Sequence, residues 1–324
     1  MRQLDLQVIT KALEWVCEGR RVWLCTVLST YGSSPRAPGA MLVAIENGGH
    51  VGSLSGGCVE EEFLRSLAAG AFREPAQVIR YGDSLEESRL LRLPCGGSLE
   101  VMVEHLVPDE ALVQHLQAIQ EVLQGQQRLI RRVDLDEGRF SLLEDLRDGG
   151  DRVEQLGSVV RVRLGPVLRL ILAGFSPVAE ACAGFARALG CEVIACDPRD
   201  EVQGVYDFCG AELLPILPSR YIAAGNCHAA TAVLALTHDP KIDDLAMIEA
   251  VNTPAFYIGV MGSEKTSAKR SERLQRIGGV DDAQLARVHM PIGLKLGSKT
   301  PAEIALATMA DVLRVYRGRV RDEL

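Results

Sequence analysis

From Val167 onward, short apolar runs alternate with segments of helical period, and this limits the fold more than any other feature of the chain. Val167-Leu-Arg-Leu-Ile-Leu-Ala173 is a continuous apolar run of strand length. It is followed by an apolar helical segment over 177–189 with proline in its first turn. Cys191-Glu-Val-Ile-Ala-Cys196, 231–236 and 256–260 read as further buried strands, with helices over 242–251 and 265–277. Strands that are apolar on both faces and linked by helices form parallel sheets, so a doubly wound sheet is expected here. Its ligands would lie outside the carboxyl ends of the strands.

The first half reads differently. Residues 4–18 have helical spacing, 22–28 form a strand, and 40–45 and 99–105 are strand candidates. A helix is expected over 109–124, and a hairpin over 129–133 and 140–143 around Asp136-Glu-Gly138. Arg147-Asp-Gly-Gly-Asp-Arg152 is polar and glycine-rich, a surface loop near a domain boundary. The expected fold class is α/β: an N-terminal α+β domain over 1–163, including the hairpin region, then a Rossmann-like doubly wound parallel sheet over 164–324.

Two glycine-rich strings lie in the first half, Gly32-Ser-Ser-Pro-Arg-Ala-Pro-Gly39 and Gly52-Ser-Leu-Ser-Gly-Gly-Cys58-Val-Glu60. The second runs into 59–67, which has helical period, so its backbone N–H groups gather at a helix start. That suits an anion such as phosphate. The alternative is a pair of ordinary turns. Cys58, between the Gly-Gly pair and the helix, is placed as a thiol of lowered pKa, a reactive sulfur or a soft metal ligand. Glu60 either orients a ligand or favours the helix N-terminus electrostatically.

With Leu93-Pro-Cys95-Gly-Gly97, these strings resemble the N-terminal domain of the XdhC/CoxI family, accessory factors for molybdenum hydroxylases such as xanthine dehydrogenase. The resemblance implies a cofactor site that includes Ser34, Arg36, Gly56, Gly57, Cys58, Glu60 and Cys95, with Cys58 against the metal. Three strings of the second half are similar to the family's C-terminal domain. They are Thr237-His238-Asp239, Gly259-Val-Met-Gly-Ser-Glu-Lys265 and Met290-Pro-Ile-Gly-Leu-Lys-Leu-Gly-Ser-Lys-Thr-Pro-Ala-Glu303. From them His238, Gly262, Ser263 and Lys299 are candidate contacts, with Gly262 and Ser263 forming a second phosphate cradle at a helix start. Thr300, Pro301 and Glu303 have the order of a capped helix start. His238 and Lys299 also have plain readings, as a capping histidine and a solvated lysine. His228 beside Cys227 suggests a metal pair, but adjacent strand residues point to opposite sides.

The nucleotide signal is damaged. After the first apolar strand stands Gly174-Phe-Ser-Pro-Val-Ala179, where a dinucleotide fingerprint reads G-x-G-x-x-G/A. Gly174 and Ala179 fit, Ser176 replaces the glycine that lets backbone approach a pyrophosphate, and Asp197 stands where a ribose hydroxyl would be accepted. The family's usual form is closer to Gly-Ala-Gly-His-Val-Ala.

Length and composition close off other classes. At 324 residues two domains are expected. A net charge of −8 without a basic run argues against nucleic acid. No leader and no apolar run of bilayer length is seen, so no membrane association and a cytoplasmic location are expected. The nine cysteines lack Cys-x-x-Cys spacing, so neither a disulfide framework nor structural zinc is expected. Cys182, Cys191 and Cys196 read as small core residues.

The expected function, implied by the resemblance, is an accessory protein rather than an enzyme. It would bind molybdenum cofactor, as molybdopterin or its dinucleotide form, and assist its sulfuration and insertion into a xanthine dehydrogenase-like hydroxylase. A cysteine desulfurase is a further partner and a homodimer a reasonable state. The rival is an NAD(P)-dependent oxidoreductase built on the C-terminal domain, which requires an intact phosphate turn.

Overall fold

Residues 4–31, 36–82, 98–125, 127–145, 151–207 and 210–321 are described by the computed structural model. They divide into two units, Leu4–Pro166 and Val167 onward.

In the first unit, α1 (Leu4–Cys17) buries one stripe, Leu6, Val8, Ile9, Ala12, Trp15 and Val16. Strand β1 (Val22–Tyr31) is buried as far as Leu28 and pairs on both edges. It is the centre of an antiparallel sheet with β2 (Met41–Ala44), β3 (His50–Gly52), β4 (Ala76–Tyr81) and β5 (Ser98–Leu106), in the order β3-β2-β1-β5-β4. Helix α2 (Cys58–Ala68) seats Val59, Phe63 and Leu67 against Trp23, Leu42 and Val101 of that sheet. Helix α3 (Glu110–Gln124) packs on α1 and starts at Asp109, whose carboxylate accepts the Leu112 N–H.

The expected hairpin is half of a second antiparallel sheet. Strands β6 (Leu129–Asp134), β7 (Arg139–Glu144), β8 (Val153–Leu156) and β9 (Val159–Leu164) lie in the order β7-β6-β9-β8. A buried clamp joins this sheet to the first. Arg131 of β6 grips Glu104 of β5 through both terminal nitrogens, at 2.7 and 2.8 Å. Its Nε donates to His115 Nε2 of α3 at 3.0 Å. Burial first, and then the neighbouring guanidinium, push the His115 pKa down to about 3, so it is a neutral acceptor.

The second unit is a six-stranded sheet whose every pairing is parallel. Its elements run β10 (Arg169–Ala173), α4 (Pro177–Ala188), β11 (Glu192–Cys196), β12 (Glu212–Leu214), α5 (Pro218–Ala223), β13 (Thr231–Ala235) and α6 (Pro240–Ala250). They continue through β14 (Tyr257–Val260), α7 (Glu264–Arg276), α8 (Asp282–Leu285), β15 (Val288–His289) and α9 (Pro301–Tyr316). The strand order β12-β11-β10-β13-β14-β15 reverses direction between β10 and β13. Leu170, Leu172 and Leu234 face α4 and α9, while Ile171, Val233 and Ile258 face α5, α6 and α7. The sheet is thus wound on both sides, as the apolar runs require. Cys182, Cys191 and Cys196 are buried in it, and desolvation pushes their thiols up to about 12, 11 and 12.

Candidate functional site

The second glycine string closes on itself. The Glu60 carboxylate, one turn into α2, accepts six hydrogen bonds of 2.7–3.0 Å from the residues ahead of it. The donors are the Ser53 and Ser55 hydroxyls and the N–H groups of Leu54, Ser55, Gly56 and Gly57. Gly56 and Gly57 have φ of 94° and 150°, which side-chain-bearing residues rarely adopt, and this turns both N–H groups onto the carboxylate. Burial alone would raise the Glu60 pKa, but the Ser55, Ser53 and Gly56 donors outweigh it and hold the carboxyl far below its ordinary range. The amides expected to cradle a ligand phosphate are therefore taken by the chain's own anion. Glu60 fixes the loop and is buried beneath it. Cys58 is the first helical residue beyond the loop. Arg36 is half-buried, and Ser34 and Cys95 lie outside the described residues.

At the topological switch between β10 and β13, the expected ribose acceptor is also engaged. Asp197 is buried and accepts the Phe175 N–H at 2.7 Å, while Arg199 holds both of its oxygens at 2.9 and 2.6 Å. Desolvation opposes its charge, yet Arg199 and the Phe175 N–H keep its pKa below the ordinary value. Ser176 caps α4 by accepting the Ala179 N–H at 3.2 Å, and Pro177 at the first helical position has no N–H to offer. Gly174 sits against the Thr237 methyl group. These residues build a stable turn and leave a pyrophosphate few donors.

The open space lies one strand further along. A cleft of about 840 Å³ runs along the carboxyl ends of β14 and β15, between the α7 start and the 290–298 loop. His238, Gly262 and Ser263 line it, as do Met261, His289 and Arg321. Gly174, Asp197 and Lys299 are not among its lining residues. Lys299 instead gives its N–H, with that of Thr300, to the Glu303 carboxylate in the α9 cap, at 2.7 and 3.1 Å.

Buried charges shape the walls of this cleft. Thr237 donates through its hydroxyl to Asp243 at 2.7 Å, and Arg270 reaches Asp243, Asp244 and the Met261 carbonyl at 3.2, 2.7 and 2.8 Å. Arg270 of α7 is thus a buried strut that ties the first turn of α6 to the Met261 carbonyl just past β14. His238 has a left-handed φ of 66°, a sparsely populated conformation for a side-chain-bearing residue. The 290–298 loop lies against α9 at Gly293 (φ 84°), where an added Cβ would meet the backbone of Ala307 and Thr308 at 3.0 Å.

A second buried hub sits under the floor. Asp311 of α9 accepts from Tyr257 Oη at 2.9 Å, Arg314 Nε at 2.8 Å and Arg321 Nη2 at 3.2 Å, with His289 Nδ1 at 3.6 Å. The His289 ring stacks on Tyr257, with centroids 4.2 Å apart. Burial lowers the His289 pKa; Asp311 opposes the shift, and Arg321 and Arg314 add to it. Among the described residues, no three His, Cys, Asp or Glu side chains converge to hold a metal ion. His228 is buried, its Nδ1 accepting the Ala230 N–H at 3.1 Å, and burial followed by nearby Arg169 lowers its pKa to about 4. No helix among the described residues is long and apolar enough to cross a membrane.

Known proteins match both units. A sequence profile for the XdhC and CoxI family matches residues 15–82, and another, for the XdhC Rossmann domain, matches residues 170–312. The chain belongs to the XdhC and CoxI family. The molybdenum cofactor insertion chaperone PaoD of Escherichia coli (strain K12) is 27% identical over 319 residues, 97% of this chain and 90% of the relative. A Bacillus subtilis (strain 168) relative, named as a probable xanthine dehydrogenase subunit, is 23% identical over 323 residues, 91% of this chain and 93% of the relative. A crystal structure of a xanthine dehydrogenase from Bacillus halodurans shares the fold, with a TM-score of 0.72 over 98% of each chain at 22% identity.

Within this XdhC and CoxI protein, the C-terminal family strings meet only in part. His238, Gly262 and Ser263 share the cleft, while Lys299 serves a cap. Sequence reasoning missed His289, Asp311 and Arg321. A signal was present for Asp311, an acid between Met309 and Val312 on the apolar stripe of a helix, where an uncompensated charge is costly.

Proposed function

We propose that the protein binds molybdenum cofactor as cargo and assists its insertion into a xanthine dehydrogenase-like hydroxylase, with Cys58 as the ligand that meets the metal. The observation that carries this reading is the Glu60-pinned loop, which fixes Cys58 as the first residue of an eleven-residue helix. A cysteine binds soft metals as its thiolate. The loop's Gly-Gly pair leaves space at that terminus, since a Cβ on Gly57 would meet nothing within 4 Å. The chaperone name of the Escherichia coli relative supports the same reading. Sulfuration of the bound cofactor, with a cysteine desulfurase as sulfur source, belongs to the proposal as the step that precedes insertion. The nicotinamide reading finds little support in the Ser176, Pro177 and Asp197 geometry.

The test is Cys58→Ser, with bound molybdenum, pterin content and melting temperature measured on one sample. A folded variant that retains several-fold less molybdenum is expected. Full retention with a lowered melting temperature would instead make Cys58 a packing residue.

A further inference from the structure

Of the three helix starts that follow Gly/Ser-rich strings, two are closed by an internal acid at their third position, Glu60 in α2 and Glu303 in α9. In α7 the corresponding residue is Thr266, whose hydroxyl lies 2.9 Å from Ser263 Oγ. Ser263 caps only the Thr266 N–H, and the first helical N–H groups have no intrahelical partner. By itself this would mean little. What gives it content is the cleft it lines and the side chains that share that cleft.

Arg321 and His289 line the same cleft, Arg321 held by the buried Asp311 carboxylate and His289 beside it. Asp311 and Gly293 O grip Arg321 through Nη2, each at 3.2 Å, while its side chain remains 45% exposed. His289 is stacked on the Tyr257 ring, with Nδ1 3.6 Å from Asp311, and is 26% exposed. Asp311 itself is fully buried and receives Tyr257 and Arg314 as well, so these groups are positioned before any ligand arrives. The acid at the rim, Glu264, is paired with Lys295 at 2.9 Å. Met261 and Ile292 add apolar lining. A space of this size, with a cationic group and apolar lining, fits a flat heterocycle that carries a phosphate.

We propose that this cleft is a binding site for a phosphorylated heterocycle, with the phosphate held by Arg321 and His289 and the ring lying against Met261 and Ile292. The α7 N-terminus supplies further donors to the anion. The phosphate site of this Rossmann-like unit has thus moved from the β10/β13 switch to the β14/β15 edge. The inference rests on the cofactor reading only for its natural ligand, since a pterin phosphate and a nucleoside monophosphate share this chemistry.

Calorimetric titration of the full chain with cytidine monophosphate, a pterin monophosphate and inorganic pyrophosphate tests it. Binding of at least one heterocyclic phosphate is expected, with affinity reduced tenfold or more in Arg321→Gln and about threefold in His289→Gln. Arg199→Gln, at the switch crevice, is expected to leave affinity unchanged. Thermal melting of each variant separates lost contacts from lost folding. If Arg321→Gln proves unstable, Ser263→Pro, which removes the N–H of a residue lining the cleft, is expected to weaken phosphate binding severalfold. A tighter pterin or cytidine ligand identifies the source, and either supports the site. No binding of any probe, or loss in Arg199→Gln with Arg321→Gln intact, overturns it. Molybdenum retention, measured separately in the Cys58→Ser protein, tells failure of the cofactor reading from failure of the cleft.

Discussion

Helices α2 and α7 begin behind similar strings, Gly-Ser-Leu-Ser-Gly-Gly and Gly-Val-Met-Gly-Ser, and reach opposite states. At α2 the amides converge on Glu60, and the loop is a finished object that leads straight into Cys58. At α7 the third helical position is Thr266, which bears no charge, and Ser263 and Glu264 at the helix start line a cleft shared with Arg321 and His289. The difference is one side chain at one helical position. It teaches that the amides of a glycine-rich helix start are open to an outside anion only when the chain does not supply its own.

The largest expected effect concerns the strut behind α7. Arg270→Met would leave Asp243 buried without its guanidinium and Asp244 with Arg273 alone, and breaking a buried pair from one side costs about 3–5 kcal/mol. Arg270 also holds the Met261 carbonyl, so phosphate binding is expected to fall with stability. Denaturant titration reads the first and calorimetry the second. Wild-type stability in this variant would mean that the cleft walls stand without the strut.

Glu60→Gln strikes the other side of the comparison. An amide can accept some of the six hydrogen bonds but turns its own N–H donors against the rest, for a cost of about 2–4 kcal/mol. The sign with pH is fixed by the depressed folded pKa. Glu60 contributes stability that is present above its ordinary value of 4.5 and is lost as pH falls further. The wild type is therefore expected to lose stability below about pH 4.5 more steeply than Glu60→Gln, as followed by melting temperature against pH. Equal slopes would remove Glu60 as the loop's anchor.

Thr266→Glu converts α7 into a copy of α2. An acid at the third position can reach back to the cap N–H and favours the helix dipole, so stability is expected to rise by about 0.3–1 kcal/mol. The same carboxylate would compete for the donors at that helix start, and phosphate affinity should fall about tenfold, or ~1.4 kcal/mol. A variant that gains stability and loses ligand would join the two helix starts under one rule. A variant that binds phosphate as well as wild type would separate them.

How much of this was legible in the sequence differs by region. The parallel sheet was readable because its strands are continuous apolar runs separated by helices that need a second layer, and β10, β11, β13 and β14 all fall within the runs expected for them. Strands β3, β4, β8, β9, β12 and β15 were not read. β3, β12 and β15 have two or three residues, and β8 is an edge strand without strong alternation, so periodicity has little to count. The glycine strings marked where the chain must turn, but not what their amides would meet. That depended on whether Glu60 folds back over one turn of helix or faces solvent, and both fit the same spacing. His289, Asp311 and Arg321 come together from a two-residue strand, a helix and the chain's last described turn, and no local pattern joins them.

The smallest expected effect tests whether the switch crevice is truly the poorer anion site. Ser176 stands at the middle glycine of the dinucleotide fingerprint, and its hydroxyl caps α4. Ser176→Gly should cost only a few tenths of a kcal/mol, since glycine is itself tolerated at a helix cap. It would also restore the backbone clearance that the fingerprint requires. Yet Pro177 would still lack an N–H, and Asp197 would still be shared between Arg199 and the Phe175 N–H. NAD affinity, followed by calorimetry, is therefore expected to change by a factor of about two or less, equivalent to ~0.4 kcal/mol. A gain above about tenfold would show that one hydroxymethyl group was all that closed the crevice, and the contrast between switch point and cleft would fall.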